Sequence, residues 1–437
     1  MGQHAVDPMY GSCRRVKPEY IRATAFTDAD VRSIMSTDRT HDSPRSLSDR
    51  RTARERPRRT TEQQTLSERR RMKITKLETI EIRIPYSAGV ASQTSAWGGK
   101  EWSTADALLV KVSTDAGITG WGEAFGYNII PATKVALNEL IAPISIGADI
   151  QNIDSLMLDL QRKLHIFGRG GPVIYGLSGL DMALWDIVGK AAGKPVYELL
   201  GGKRHDQLDS YASLLRYSEP EKVAEMVKRV CDLGFTSIKL HEITVPAVAA
   251  ARQAAGPAVA IMLDVNCPWT REEALDMAGQ LRQYDLAWLE EPVWPPEDHA
   301  SLATIRKQGG IPVAAGENAA TLQQYRHLFE AGAIDIAQPS PAKTGGVTTL
   351  REVFALADEF GVRVVPHSFY EGPGLLTAIQ CNAALSPEPL VEWRFFDCEA
   401  RLYGDDVVPV NGKLAVPDGP GLGHDPDPDV IKRYRVD

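Results

Sequence analysis

Residues 288–294 read WLEEPVW, an apolar approach followed by two adjacent carboxylates and a proline. If the approach is a β-strand, alternation sends Glu290 and Glu291 to opposite faces. A solvated strand end before a turn would account for one such pair. A second account appears when the neighbouring strands are aligned with it. From about residue 208, short apolar segments alternate with helical ones. The strand segments are LDSYAS, SIKLHE, AIMLDVN, AWLEEP, PVAAGEN, DIAQPS, RVVPHSF and LVEW; between them lie helical stretches such as EKVAEMVKRVCDLG and REEALDMAGQLRQY. Eight strands at near-regular spacing, separated by helices, predict a parallel β/α barrel. A doubly wound open sheet would want a glycine-rich phosphate turn after its first strand, and YASLLRYSEPE is not one.

In such a barrel the reactive groups gather where the strands end. The third strand ends at Asp264, the fourth at Glu290 and the fifth at Glu317, steps of 26 and 27 residues, or one β/α unit each. Three carboxylates at one height repel one another unless a cation joins them. Hard oxygen donors with room left for water and substrate suit Mg²⁺, one per subunit, with Mn²⁺ as an alternative. On this reading Glu290 is the ligand, and Glu291 points away as a supporting partner. The second strand ends KLH, so Lys239 and His241 share a face; the seventh ends at His367, on the far side of the acids. Bases on both sides of a carboxylate-bound metal form the layout for removing a proton next to a substrate carboxylate. Singly, a strand-end lysine is usually a solvated charge and a lone histidine an ordinary polar residue. The constellation carries the functional reading.

The bulk properties set the limits. The chain has 437 residues, 43% hydrophobic and 24% charged, ordinary for a globular protein. A net charge of -8 argues against nucleic-acid partners. No apolar run is long enough to cross a bilayer, so no membrane partner is expected. Five scattered cysteines without a CxxC pair fit a reducing, cytoplasmic setting. Residues 1–71 differ in kind, with 15 Arg and one Lys against 10 Asp or Glu, a local charge of +6. Their low apolar content cannot offset the entropy of ordering. This segment is expected to lie outside the fold, as a tail or as sequence read from a start placed too early. A transit peptide would be poor in acids.

Residues 72–125 read as strands, with a Gly/Ser/Thr-rich loop at 87–104 that carries Trp97 and Trp102. Residues 131–200 are helical, and SGLDMALWDIVGKAAG predicts a buried helix ending at Gly193.

With these motifs in view, residues 72–437 resemble the enolase superfamily, in its mandelate racemase and muconate lactonizing enzyme branch. The resemblance rests on GWGEA, on SGLDMALWDIVGKAAGKPVYELLGG, and on the strand-end motifs LDVN, EEP, GEN, GGV and VPHSF. It implies a modified (β/α)7β TIM-type barrel at 206–400 beneath an N-terminal α+β capping domain at 72–205, with residues 401–437 returning to the cap without adding a barrel strand. It also implies that Asp264, Glu290 and Glu317 bind Mg²⁺, that Lys239 and His241 hold the second-strand base positions, and that His367 is the seventh-strand histidine. Lys343 and Glu392 take supporting places near the ligands and substrate, and Asn266 belongs to the same rim. Members commonly form dimers or octamers, so a homo-oligomer is expected.

Two departures bear on the reaction. The second-strand motif is Lys-x-His where the family often has Lys-x-Lys. Ser340 sits five residues before the glycine pair, where racemase-like members carry an aspartate paired with the seventh-strand histidine. A serine does not stabilise an imidazolium as a carboxylate does, so His367 should hold a proton less tightly. The expected reaction is dehydration of an aldonate or aldarate to a 2-keto-3-deoxy acid, with Lys239 or His241 taking the α-proton and His367 assisting loss of the β-hydroxyl, or the two sides exchanged. Lactone cycloisomerisation, epimerisation and a degenerate sugar-acid-binding member remain alternatives. Trp97 in the loop, and His165 and Arg169 in HIFGRGG, are candidate contacts for the substrate's tail.

Overall fold

The structure is a computed structural model that describes residues 72–87 and 102–436. The expectations for residues 1–71 and for Trp97 lie outside the described residues.

Strands β1 (Ile74–Ser87), β2 (Thr104–Thr114) and β3 (Thr119–Ala124) form an antiparallel meander, joined at its outer edge by β12 (Asp397–Cys398). Against it packs α1 (Pro172–Ala192), the predicted buried helix, which stops at Gly193 in the left-handed conformation that favours glycine. The close approach of α1 to β3 explains the glycines of GWGEA. A Cβ on Gly122 would stand 1.9 Å from the Gly179 carbonyl, and one on Gly120 would stand 2.2 Å from the Ala183 carbonyl.

The eight predicted barrel strands are present as β4 (Gln207–Ser213), β5 (Ser237–Leu240), β6 (Ala260–Asp264), β7 (Leu286–Glu290), β8 (Val313–Ala315), β9 (Ile336–Ala337), β10 (Arg363–Val364) and β11 (Leu390–Arg394). They pair in parallel in the order β10-β9-β8-β7-β6-β5-β4-β11. Helices follow the first seven: α2 (Pro220–Asp232), α3 (Val245–Ala255), α4 (Arg271–Leu281), α5 (His299–Gln308), α6 (Leu322–Glu330), α7 (Gly346–Phe360) and α8 (Pro373–Leu385). Among the described residues no barrel helix comes directly after β11, which makes a (β/α)7β barrel with an α+β cap. Capping boxes start α4 (Thr270 with Glu273) and α6 (Thr321 with Gln324), each cap worth about 1 kcal/mol.

The last segment departs from expectation. Residues 413–415 form β13, antiparallel to β4 at 207–209, before α9 (Pro428–Tyr434) runs back to β1. The pairing of β4 with β5 begins only at Ala212, so the earlier part of β4 has backbone groups left to satisfy, and β13 satisfies them.

Inside the barrel, Tyr211, Met262, Trp288, Ala314, Ile336, Val365 and Leu390 pack into one apolar cluster. Side chains alternate along a strand, so the residue two places on also faces inward, one layer higher. Those residues are Ser213, Asp264, Glu290, Gly316, Gln338, His367 and Glu392. The site is the polar layer laid on that floor.

Candidate active site

The mouth of the barrel opens into a cavity of about 490 Å³. Asp264, Glu317, His241 and His367 line it from the barrel, and Phe125 and Tyr127 line it from the cap.

Asp264, Glu290 and Glu317 converge, each offering one oxygen within 4.8 Å of the others. Asp264 and Glu290 sit on the inward rows of β6 and β7. Glu317 does not share that parity. Gly316, at φ 129°, turns the chain so that the next side chain enters the site. Lys239 Nζ reaches Asp264 Oδ2 at 3.2 Å, Glu290 Oε1 at 3.0 Å and Glu392 Oε1 at 2.8 Å. Burial opposes its charge, but Glu290, Glu392 and Asp264 outweigh burial and hold the ammonium well above the usual lysine range. Lys239 therefore lies under the acids and is not part of the cavity wall. Glu392 also accepts from Ser213 Oγ (2.8 Å) and Ser368 N (2.9 Å). Although burial pushes Glu392 up, Lys239 and His367 bring it down to about 2.

The remaining oxygens are divided in the same way. Burial raises Asp264, but Lys239 and His241 outweigh it and hold the carboxyl below its ordinary range. Burial and the charge of Asp264 push Glu290 up, while Trp288 Nε1 donates to it at 2.9 Å. Lys343 Nζ donates to Glu317 Oε1 at 3.2 Å and lies 4.4 Å from the Phe125 ring centre. Burial works against the Glu317 charge, but Lys343 and His367 bring its pKa below the ordinary value. Three hard carboxylate oxygens this close, with an open cavity on one side, fit a divalent cation.

Two histidines flank the acids. His241 lies just past the end of β5; its Nε2 is 3.3 Å from Asp264 Oδ2, and its Nδ1 is hydrogen-bonded to the Leu214 carbonyl. His367 Nε2 is 3.1 Å from Glu317 Oε2, and its Nδ1 is 3.3 Å from Ser340 Oγ. Burial pulls His367 below the usual imidazole value, and the nearby Glu317 and Glu392 only partly oppose it. Ser340 Oγ is in turn hydrogen-bonded to the Tyr370 hydroxyl.

Glu291 differs from the reading by alternation. It sits at φ 47°, so the strand geometry ends before it, and it lines the cavity instead of pointing away. Asn318 Nδ2 donates to both its oxygens, at 2.9 and 3.0 Å. Burial, followed by the charges of Glu317 and Asp264, pushes Glu291 up to about 8. Asn266 lines the cavity, its N–H donating to Asp264 Oδ1 at 3.0 Å. Arg169 and His165 are exposed and do not line the cavity. Sequence reasoning missed Tyr370, Asn318 and Arg216. Arg216 is the residue a strand-end reading of β4 could have found.

Residues 93–201 match the mandelate racemase / muconate lactonizing enzyme N-terminal domain, and residues 222–430 match the enolase C-terminal domain-like family. An arabinonate dehydratase from Saccharolobus solfataricus is 31% identical, over 75% of this chain and 90% of its own. The chain belongs to the enolase superfamily, in its mandelate racemase / muconate lactonizing enzyme branch. Another superfamily relative, a D-galactarolactone cycloisomerase from Agrobacterium fabrum, is 32% identical over 75% of this chain and 91% of its own. A solved structure of a racemase from Streptomyces coelicolor with bound magnesium superposes with a TM-score of 0.74 at 26% identity, covering 83% of this chain and 100% of that one. Superfamily members use Mg²⁺, and Asp264, Glu290 and Glu317 could hold a metal here.

Proposed function

We propose that this protein dehydrates an aldonate or aldarate to a 2-keto-3-deoxy acid, with His241 as the base and His367 as the acid. The observation that carries this reading is the different support behind the two Nδ1 atoms, a backbone carbonyl at His241 and a neutral hydroxyl at His367. The Leu214 carbonyl can only accept, so His241 Nδ1 is the donor there, and Nε2, 3.3 Å from Asp264 Oδ2, is the atom that takes up a proton, with that carboxylate as the acceptor for the new N–H. The Glu317 carboxylate likewise accepts from His367 Nε2, and in the protonated ring Nδ1 donates to Ser340 Oγ, a neutral partner that stabilises the imidazolium less than a carboxylate would. Ser340 can then accept from Tyr370. One ring is placed to gain a proton and the other to give one up.

Asp264, Glu290 and Glu317 would hold Mg²⁺, which when bound supplies positive charge to the substrate carboxylate and to the enediolate. His241 Nε2 takes the proton from C2, and the new imidazolium N–H has Asp264 Oδ2 as its partner. The electron pair shifts to expel the C3 hydroxyl, which leaves as water with the Nε2 proton of protonated His367, and the ring is left as neutral imidazole with its proton on Nδ1. The enol then takes a proton at C3, loses its hydroxyl proton and becomes the 2-keto acid. Lys239 keeps the buried acids in place from below and does not reach the reacting carbon. Lactone cycloisomerisation shares the first step and draws support from the D-galactarolactone relative. It releases a carboxylate, which needs little protonation, so the proton presented by His367 favours dehydration.

The test is an assay of aldonates, aldarates and their lactones with Mg²⁺ in D₂O, followed by proton NMR. A 2-keto-3-deoxy acid from an open-chain acid is the expected result. Turnover of lactones alone would move the assignment to cycloisomerase, and α-proton loss without a new skeleton to epimerase. No exchange from any compound would leave binding without turnover.

A further inference from the structure

Two side chains that support the site, Ser340 beside His367 and Lys343 on Glu317, come from one short stretch, 340–346, between β9 and α7. It holds a single helical turn, Pro341–Thr344, closed from within by Thr344, whose N and Oγ1 donate to the Ser340 carbonyl at 3.1 and 3.0 Å. Gly345 and Gly346 follow at φ 109° and 71°, in the left-handed region that side chains disfavour. Two glycines in a row leave the chain many alternatives, so the direction of the turn depends on what grips it at this end.

The grip comes from the cap. Ser178, Asp181 and Trp185 stand at i, i+3 and i+7 along α1, on one face of the helix. Ser178 Oγ accepts from Gly345 N at 2.8 Å, and Asp181 Oδ1 accepts from Thr348 N at 3.0 Å. Thr348 N belongs to the first turn of α7, where backbone N–H groups have no partner within the helix. Thr348 Oγ1 donates to Asp181 Oδ2 and accepts from Trp185 Nε1 at 2.9 Å. Gly346 lies against the same carboxylate, and a Cβ there would stand 2.3 Å from Asp181 Oδ1. From β3, Phe125 N donates to the Ala342 carbonyl at 3.4 Å, and the Phe125 ring lies against the Lys343 ammonium. Asp186, five residues on in α1 and also buried, serves other parts of the chain. It accepts from Trp121 N and Leu422 N, both at 2.8 Å, and from Lys190 Nζ at 2.7 Å.

We infer that Asp181, which is buried and does not line the cavity, is a positioning residue for the active site. Through Thr348 and Gly346 it fixes the stretch 340–346, and with it the directions from which Lys343 meets Glu317 and Ser340 meets His367. The effect on His367 rests on the dehydratase reading. The effect on Glu317 rests only on the acids holding a metal.

The experiment compares Asp181→Ala, Asp181→Asn and Ser178→Ala with Asp186→Asn. The readouts are thermal unfolding, calorimetric titration of the metal-free protein with Mn²⁺, and kcat and KM at saturating Mg²⁺ for an acid that the wild type turns over. Asp181→Ala should weaken Mn²⁺ binding and lower kcat by about tenfold each, with KM little changed, the low end of what losing support behind a metal ligand costs. Ser178→Ala, which removes a single acceptor, should act in the same direction, and it carries the comparison if Asp181→Ala does not fold. Asp181→Asn keeps an acceptor for Thr348 N and should recover most of both losses. Asp186→Asn should lower the unfolding temperature and leave Mn²⁺ affinity and kcat unchanged. Wild-type Mn²⁺ affinity and kcat in Asp181→Ala and Ser178→Ala would overturn the inference. So would losses in Asp186→Asn equal to those in Asp181→Ala, because both would then follow from a loosened cap. If no acid loses its α-proton in D₂O, the dehydratase reading fails, and the Mn²⁺ titration alone decides the role of Asp181.

Discussion

The two sides of the cavity are built from different materials. On the side of β5 to β8, the buried ammonium of Lys239 holds two acids by charge, within 3.2 Å of both Asp264 and Glu290. On the side of β9 and β10, Nδ1 of His367 faces a chain of neutral hydroxyls, Ser340 and behind it Tyr370, while Nε2 faces Glu317. Charge fixes positions strongly and shifts proton affinities over long range. Hydroxyls fix the direction of a hydrogen bond at little electrostatic cost. The first side can gather a cation and stabilise a proton arriving on His241. The second puts no charge behind Nδ1 of His367, so a protonated ring there gives up its Nε2 proton readily.

If charge holds the first side, Lys239→Met should cause the largest loss. Removing the ammonium leaves Asp264, Glu290 and Glu392 buried against one another, and the expected destabilisation is about 3–5 kcal/mol. Urea unfolding in the absence of divalent ions measures it. A change under about 1 kcal/mol would mean that the acids do not depend on Lys239.

The second side should respond more gently. Tyr370→Phe removes one neutral hydrogen bond to Ser340 and leaves the ring in place. A fall in kcat of about tenfold with little change in KM is expected, since one such bond is worth about 1.4 kcal/mol. Steady-state kinetics would contradict the hydroxyl chain if kcat held and KM alone moved.

The same contrast decides what was legible in the sequence. Asp264, Glu290 and Glu317 stood out because acids at strand ends recur at one β/α unit, and Lys239, His241 and His367 stood out against apolar strands. The barrel, its strand order and the glycine-stopped helix α1 were equally readable from periodicity. Tyr370 carried no signal, because a tyrosine three residues past His367 acquires meaning only when the loop folds it back onto Ser340. Glu291 was misjudged because alternation fails where the chain enters the left-handed region, and Gly316 alters parity for Glu317 in the same way. β13 escaped notice because three residues, KLA, are too few to show a pattern. Arg169 looked like a substrate contact by composition alone, and its exposed place in the loop before α1 does not bring it to the cavity wall.

The most direct test is α-proton exchange in D₂O, compared between His241→Gln and His367→Gln with whichever acid the wild type dehydrates. The expected result is asymmetric. His241→Gln should lose both exchange and dehydration. His367→Gln should keep exchanging the α-proton while dehydration falls by about 10²–10³-fold, the usual worth of a positioned general acid. Exchange that survives in His241→Gln and vanishes in His367→Gln would contradict the assignment of base and acid to the two sides.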